Sequence, residues 1–153
     1  MGLQLYYRRN DEFVAISQNG IMSSPLATVH DGKTGDMYVT QLYLRNDNPL
    51  VWFSNIEVFP FDKNAGEILK GDVNYQDTGW GIKLSLSSSE PTQGMWEDIE
   101  WGESVLIDKV GDSGNPDTAK YHPFWYMITC PPNHDAAIKE NITFRVEYTE
   151  NVV

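Results

Sequence analysis

Apolar and polar residues alternate along much of the chain, which is the pattern of β-strands that turn one face toward a core. The clearest example is the stretch 142–149, where the apolar residues Ile142, Phe144, Val146 and Tyr148 occupy every second position. A second example is the stretch 80–87, where Trp80, Ile82, Leu84 and Leu86 do the same. The intervening polar residues, among them Lys83 and Ser85, are expected to face solvent.

Shorter alternating stretches predict six further strands. These are Leu3 to Arg8, Phe13 to Ser17, Met37 to Asn46, Val51 to Pro60, Ser104 to Val110 and Phe124 to Cys130. Asn, Asp, Gly and Pro cluster between them, and these residues favour turns. About eight short strands separated by turns predict an all-β, antiparallel β-sandwich, immunoglobulin-like or jelly-roll-like, as a single domain over residues 1–153. The stretch Ala136 to Glu140 predicts at most one helical turn.

Two longer stretches, 18–36 and 88–102, show no regular pattern and are predicted to be irregular. Long loops in a compact domain are more often functional or interface elements than neutral spacers. Contacts with other molecules are therefore expected from these two segments.

Composition and charge narrow the classes of partner. The chain has 11 basic and 22 acidic residues and a formal net charge of −11. Such a surface repels phosphate groups, which argues against binding to nucleic acid and to an anionic membrane. The first residues lack the pattern of a secretion signal, so we expect the chain to be made in the cytoplasm without entering a secretory route.

The residues that usually carry catalysis are not arranged for it. Cys130 is the only cysteine, the three histidines are far apart, and no serine lies in a nucleophile-elbow motif. We therefore expect no catalytic residues, no metal and no cofactor. The turn with Asp112, Asn115 and Asp117 offers oxygen atoms to a cation such as Ca²⁺, but the same residues are ordinary turn formers, and the sequence leaves this point open.

The segment 95–103 combines two indoles with four carboxylates. Trp96 and Trp101, with Glu97 and Glu100, are candidate partner-binding residues, because aromatic side chains often anchor protein interfaces. The two indoles could alternatively stack on sugar rings in a carbohydrate-binding module. A glycosidase is a third alternative, and it would use Glu97, Asp98, Glu100 or Glu103 with a second carboxylate across a cleft.

Two pairs of strands carry a family resemblance. The runs Val39 to Asp47 and Ile56 to Pro60, and the closing runs Phe124 to Pro132 and Ile142 to Tyr148, resemble paired strands of immunoglobulin-like sandwiches. In this respect the chain is similar to small β-sandwich structural proteins of tailed-phage virions, both decoration and tail-associated. The resemblance implies a non-enzymatic virion subunit, in a decoration or cement role, that binds the protein lattice of a capsid or tail and forms homo-oligomers.

Overall fold

The computed structural model of the protein describes residues 2–17, 28–30, 36–62, 66–67, 81–130, 137–139 and 142–153. Strands dominate this part of the chain, and its helical element is one short helix. In chain order the elements are β1 (Leu3–Arg9), β2 (Glu12–Ala15), β3 (Thr28–His30), β4 (Asp36–Asn46), β5 (Val51–Asp62), β6 (Gly66–Glu67), β7 (Gly81–Ser85), α1 (Gln93–Glu97), β8 (Val105–Val110), β9 (His122–Cys130), β10 (Ala137–Lys139) and β11 (Ile142–Val152).

The strands form two antiparallel sheets and a separate pair. The first sheet has the order β2-β1-β4-β9-β7. In the second sheet β11 pairs with one edge of β5, and β8 and β6 also pair with β5. Strands β3 and β10 pair with each other. The predicted antiparallel β-sandwich is confirmed.

Alternation places the core between the two sheets. Leu42 and Leu44 of β4 and Phe124 of β9 are fully buried from the first sheet, and Phe53 and Ile56 of β5 are fully buried from the second. These residues belong to one contiguous cluster of apolar side chains. Burial of such side chains supplies the main driving force for folding, about 2 kcal/mol for each large one.

The stretch 142–149 agrees with its prediction in most respects. Phe144 and Val146 are buried, and Tyr148 packs against the core. Glu147 is exposed on the opposite face. Thr143 is the exception on that face, since it is 6% exposed and its hydroxyl donates to the carbonyl oxygen of Phe61 at 3.2 Å.

Other predictions are corrected. Ala137–Lys139 form a strand rather than a helical turn, because they pair with β3; Ala136 and Glu140 lie outside the described residues. The stretch 18–36 contains β3 and the first residue of β4, and its other residues lie outside the described ones. Lys83 and Ser85 are buried, each 7% exposed, whereas Leu86 is 44% exposed. Trp80 also lies outside the described residues.

No helix in the described ranges is both long enough and apolar enough to span a membrane.

Candidate functional site

The segment 88–102, predicted to be irregular, contains helix α1. Thr92 caps the helix, since its side-chain oxygen accepts a hydrogen bond from the Met95 backbone N–H at 3.3 Å. This arrangement turns Trp96 inward, where its side chain is 3% exposed. The Trp96 indole Nε1 is buried and finds no acceptor among the described residues. Trp96 is therefore a packing residue that holds the segment against the fold.

Lys83 lies on the outer face of the first sheet and joins the segment to it. Its ammonium nitrogen donates a 2.7 Å hydrogen bond to the Trp96 carbonyl oxygen and lies 4.4 Å from the centre of the Trp101 ring. Burial lowers the pKa of Lys83, and the nearby Glu97 carboxylate opposes that shift. The segment thus covers a side chain that the alternating pattern assigned to solvent.

The four residues predicted to bind a partner are placed in three different ways. Trp96 is buried, and Trp101 is half-buried with its ring against Gly81 and beside the Lys83 ammonium. Glu97 and Glu100 are exposed. The carbohydrate-binding alternative is therefore corrected for Trp96, because its buried indole offers no face to a sugar ring. Partner binding by Glu97 and Glu100 stays a prediction.

A second cluster lies on the outer face of the first sheet and consists of aromatic rings around an arginine. Phe13 stacks on Tyr121 with ring centres 3.7 Å apart and meets Tyr43 edge-on at 4.9 Å. The Arg45 guanidinium donates to the Tyr121 hydroxyl at 2.5 Å and lies over the Tyr6 ring. Because the rings pack against one another, this cluster joins strands to each other and leaves little ring surface for a ligand.

Charge within this cluster is paired. The Arg45 Nε lies 2.9 Å from Asp47 Oδ1, and the Tyr6 hydroxyl donates to Asp47 Oδ2. Burial, together with the hydrogen bond to Asp47, raises the pKa of Tyr6 to about 12. Tyr6 therefore keeps its proton and acts as a hydrogen-bond donor.

The turn after β8 uses its oxygen atoms internally. Asp112 Oδ1 accepts from the Gly114 N–H, and Asn115 Oδ1 accepts from the Asp117 N–H, both at 2.9 Å. Asp117 Oδ2 lies 3.1 Å from Nε2 of His122. Burial lowers the pKa of His122, and the contact with Asp117 opposes the shift. In the described part of the chain no three His, Cys, Asp or Glu side chains are grouped to hold a metal ion.

The strongest irregularity in the second sheet is at Asn55, in the middle of β5. Asn55 has a φ of +50°, a left-handed backbone conformation that residues other than glycine rarely adopt. On the β11 side, Glu57 pairs with Glu147 and Ser54 pairs with Thr149. Between these two pairs β5 advances by three residues and β11 by two. This is a β-bulge, and bulges often lie next to functional sites because they redirect side chains.

A groove of about 440 Å³ lies over the bulge. It is lined by Asn55, Ile56 and Glu57 of β5 and by Leu106, Ile107 and Asp108 of β8. Its volume is within the range of ligand sites, roughly 300 to 1,000 Å³. None of the four acids of the segment 95–103 lines this groove, so it gives no support to the glycosidase alternative.

The groove joins an apolar surface to negative charge. Leu106 is 69% exposed, and Asp108 is also exposed. Glu57 is held in place because its Oε1 accepts a hydrogen bond from the Ser104 hydroxyl at 2.8 Å. Glu57 lies directly opposite Glu147 on the same face, and like charges in that position repel each other. The site therefore favours a positively charged group attached to an apolar chain.

The sequence reasoning missed this groove, although one signal for it is present. Next to the bulge, the inward-facing buried residues of β5 are Val51 and Phe53 before it and Ile56 and Val58 after it; Phe59 and Pro60 are also buried further along the strand. The spacing changes from two to three at Asn55, which is how a bulge appears in an alternating pattern.

Comparisons with known proteins find little. No family model matches the chain, and no curated protein matches it. A solved structure of AvmM, which catalyses macrocyclization in alchivemycin A biosynthesis, aligns over 95% of this chain and 93% of its own at 7% identity, with a TM-score of 0.32.

This comparison corrects two predictions. The chain was predicted to be a non-enzymatic virion structural subunit, but a solved structure that aligns with it is that of an enzyme. Both predictions, of the virion role and of the lack of enzymatic activity, are wrong on this finding. At such a low TM-score the alignment carries no argument for any particular reaction of this chain.

Proposed function

We propose that this domain binds a basic, extended segment of a partner protein in the groove between β5 and β8. The observation that carries the proposal is the position of the exposed Leu106 next to Glu57 and Asp108 in one groove. A lysine or arginine side chain matches this chemistry, because its aliphatic stem can lie along leucine while its charged end faces the carboxylates.

Two further features support a polypeptide ligand. Strand β8 pairs with β5, and within the described ranges no strand pairs with its other edge. An extended segment can use such an edge for backbone hydrogen bonds while its side chains enter the neighbouring groove. The net charge of −11 also raises the rate at which a basic segment approaches.

The test is a titration of the protein with a synthetic peptide of alternating arginine and valine, with the heat of binding measured by calorimetry. We expect saturable binding that weakens by about tenfold in the double variant Glu57→Gln, Asp108→Asn, because each lost carboxylate removes one charge contact. The matched control is Glu12→Gln, Glu90→Gln, which makes the same change in net charge at exposed residues outside the groove.

Three outcomes would contradict the proposal. One is no binding of the peptide, and another is equal weakening in both double variants, which would indicate attraction to the overall charge. The third is that spermidine displaces the peptide completely at equal concentration, since the groove would then be a site for a free amine.

A further inference from the structure

Among the described strands, none occupies the outer edge of β11. Strand β11 pairs with β5 along one edge, and no described strand pairs with the other. The extra residue of the bulge belongs to β5, so β11 itself keeps its alternation past residue 147. An edge of this kind presents a row of backbone donors and acceptors to another strand.

The side chains along this edge carry opposite charges at a short spacing. Arg145 and Glu147 both lie on the outer face, on either side of the inward-facing Val146. Arg145 also lies over the Phe61 ring at 4.4 Å, which limits its freedom. A second copy of the same strand running antiparallel would bring the same two charges in reverse order.

We infer that two copies of this chain form a twofold dimer by antiparallel pairing of their β11 strands, with Val146 opposite Val146. In this register Arg145 of each copy lies opposite Glu147 of the other, so two ion pairs form across the dimer axis. This inference goes beyond the proposed function, because it concerns a different strand and a different partner. A twofold axis makes each contact occur twice.

Charge selects this register over its neighbours. A shift by two residues in one direction places Arg145 opposite Arg145, and a shift in the other places Glu147 opposite Glu147. A shift by one residue places inward-facing side chains opposite outward-facing ones, which sheet geometry does not allow. Only the register centred on Val146 pairs opposite charges.

The dimer would also relieve a conflict within the monomer. Glu147 lies opposite Glu57 on the outer face of the second sheet. The Arg145 of a second copy, placed on the other side of Glu147, would bring a positive charge next to this acidic pair.

The reciprocal pairing allows a sharp test by sedimentation velocity. Arg145→Glu places two acids opposite each other twice, and Glu147→Arg does the same with two bases, so we expect each variant to dimerise about thirtyfold more weakly than the wild type. An equimolar mixture of the two variants restores both ion pairs in a heterodimer, and we expect it to associate. Arg9→Glu and Glu12→Arg are the matched controls, since these exposed residues lie on the other sheet.

Thermal melting of each variant checks that Arg145→Glu remains folded after losing its contact with Phe61. A wild-type chain that stays monomeric at high concentration would overturn the inference, and so would a mixture of the two variants that fails to associate. A dimer lost in Leu50→Ser or Val152→Ser, but kept in both charge variants, would also overturn it, because those exposed side chains lie at the end of the sheet. None of these results depends on peptide binding in the groove, so the two proposals can fail separately.

Discussion

The ammonium group of Lys83 donates a hydrogen bond to the carbonyl oxygen of Trp96, and this contact fixes the segment 88–102 on the outer face of the first sheet. The same carbonyl oxygen also accepts the backbone N–H of Ile99 at 3.1 Å, so Lys83 adds a charged donor from β7 to a contact within the segment. The Trp101 ring lies on the same ammonium group. A surface that alternation assigned to solvent is thereby made part of the interior.

Replacing Lys83 by methionine keeps the aliphatic stem and removes the donor. We expect Lys83→Met to lower the free energy of unfolding by about 1 kcal/mol, because the Trp96 carbonyl loses its charged donor and keeps only the Ile99 N–H. The cost of burying a charge is removed as well, and this offsets part of the loss. Urea unfolding, monitored by tryptophan fluorescence, measures this change in the free energy of unfolding. Lys120→Met, at an exposed position, serves as the control and should shift stability by less than about 0.5 kcal/mol. Equal effects of the two substitutions would mean that Lys83 does not hold the segment.

Asn55 offers a test of the bulge. Its left-handed conformation suits glycine and opposes a β-branched side chain, so we expect Asn55→Val to be less stable than Asn55→Gly by about 1–2 kcal/mol. The residue is exposed, which removes burial from the comparison. Chemical denaturation of the two variants side by side gives the difference. Equal stability of the valine and glycine variants would argue that the bulge is absent.

Tyr6 makes the stability of the protein depend on pH in the alkaline range. Its pKa is about 12 in the folded chain and 10.0 in its ordinary state. Between these values the folded state keeps a proton that the unfolded state has lost, so this contribution to stability is complete below about pH 10 and is lost as the pH rises toward about 12.

In Tyr6→Phe we therefore expect a flatter decline of the free energy of unfolding over that range. Burial also raises the pKa of Tyr126 and of Tyr148, so a residual decline remains. Urea unfolding at a series of alkaline pH values provides the measurement. If the variant and the wild type lose stability in parallel, Tyr6 does not titrate as described. Tyr43→Phe, in the same cluster, is a suitable comparison.

The sequence predicted those features that depend on local alternation. Phe144 and Val146 of β11, and Ile82 and Leu84 of β7, are buried as their spacing indicates, because one residue in two must leave solvent when a strand covers a core. Alternation does not reveal what covers the opposite face. Lys83 and Ser85 are buried there, and Lys83 contacts Trp96 and Trp101 of the segment 88–102, which follows β7 in the chain but shows no regular pattern.

The candidate site was harder to predict for a related reason. Glu57 and Leu106 meet because β5 and β8 pair across about fifty residues of chain, and register between such distant strands is not encoded locally. Helix α1 was missed because five residues are too few to show a helical period, and Gly94 weakens its helical propensity. Trp96 attracted attention as an aromatic residue near acids, yet the helix turns it inward.

The most direct measurement for the proposed binding site is the amide NMR spectrum of the protein during addition of the arginine–valine peptide. The groove between β5 and β8 predicts that the largest shift changes fall on residues 54–57 and 105–109, and that an alternating glutamate–valine peptide leaves these amides unchanged. Shift changes concentrated instead on the segment 88–102, or spread evenly over exposed acidic residues, would contradict binding in the groove.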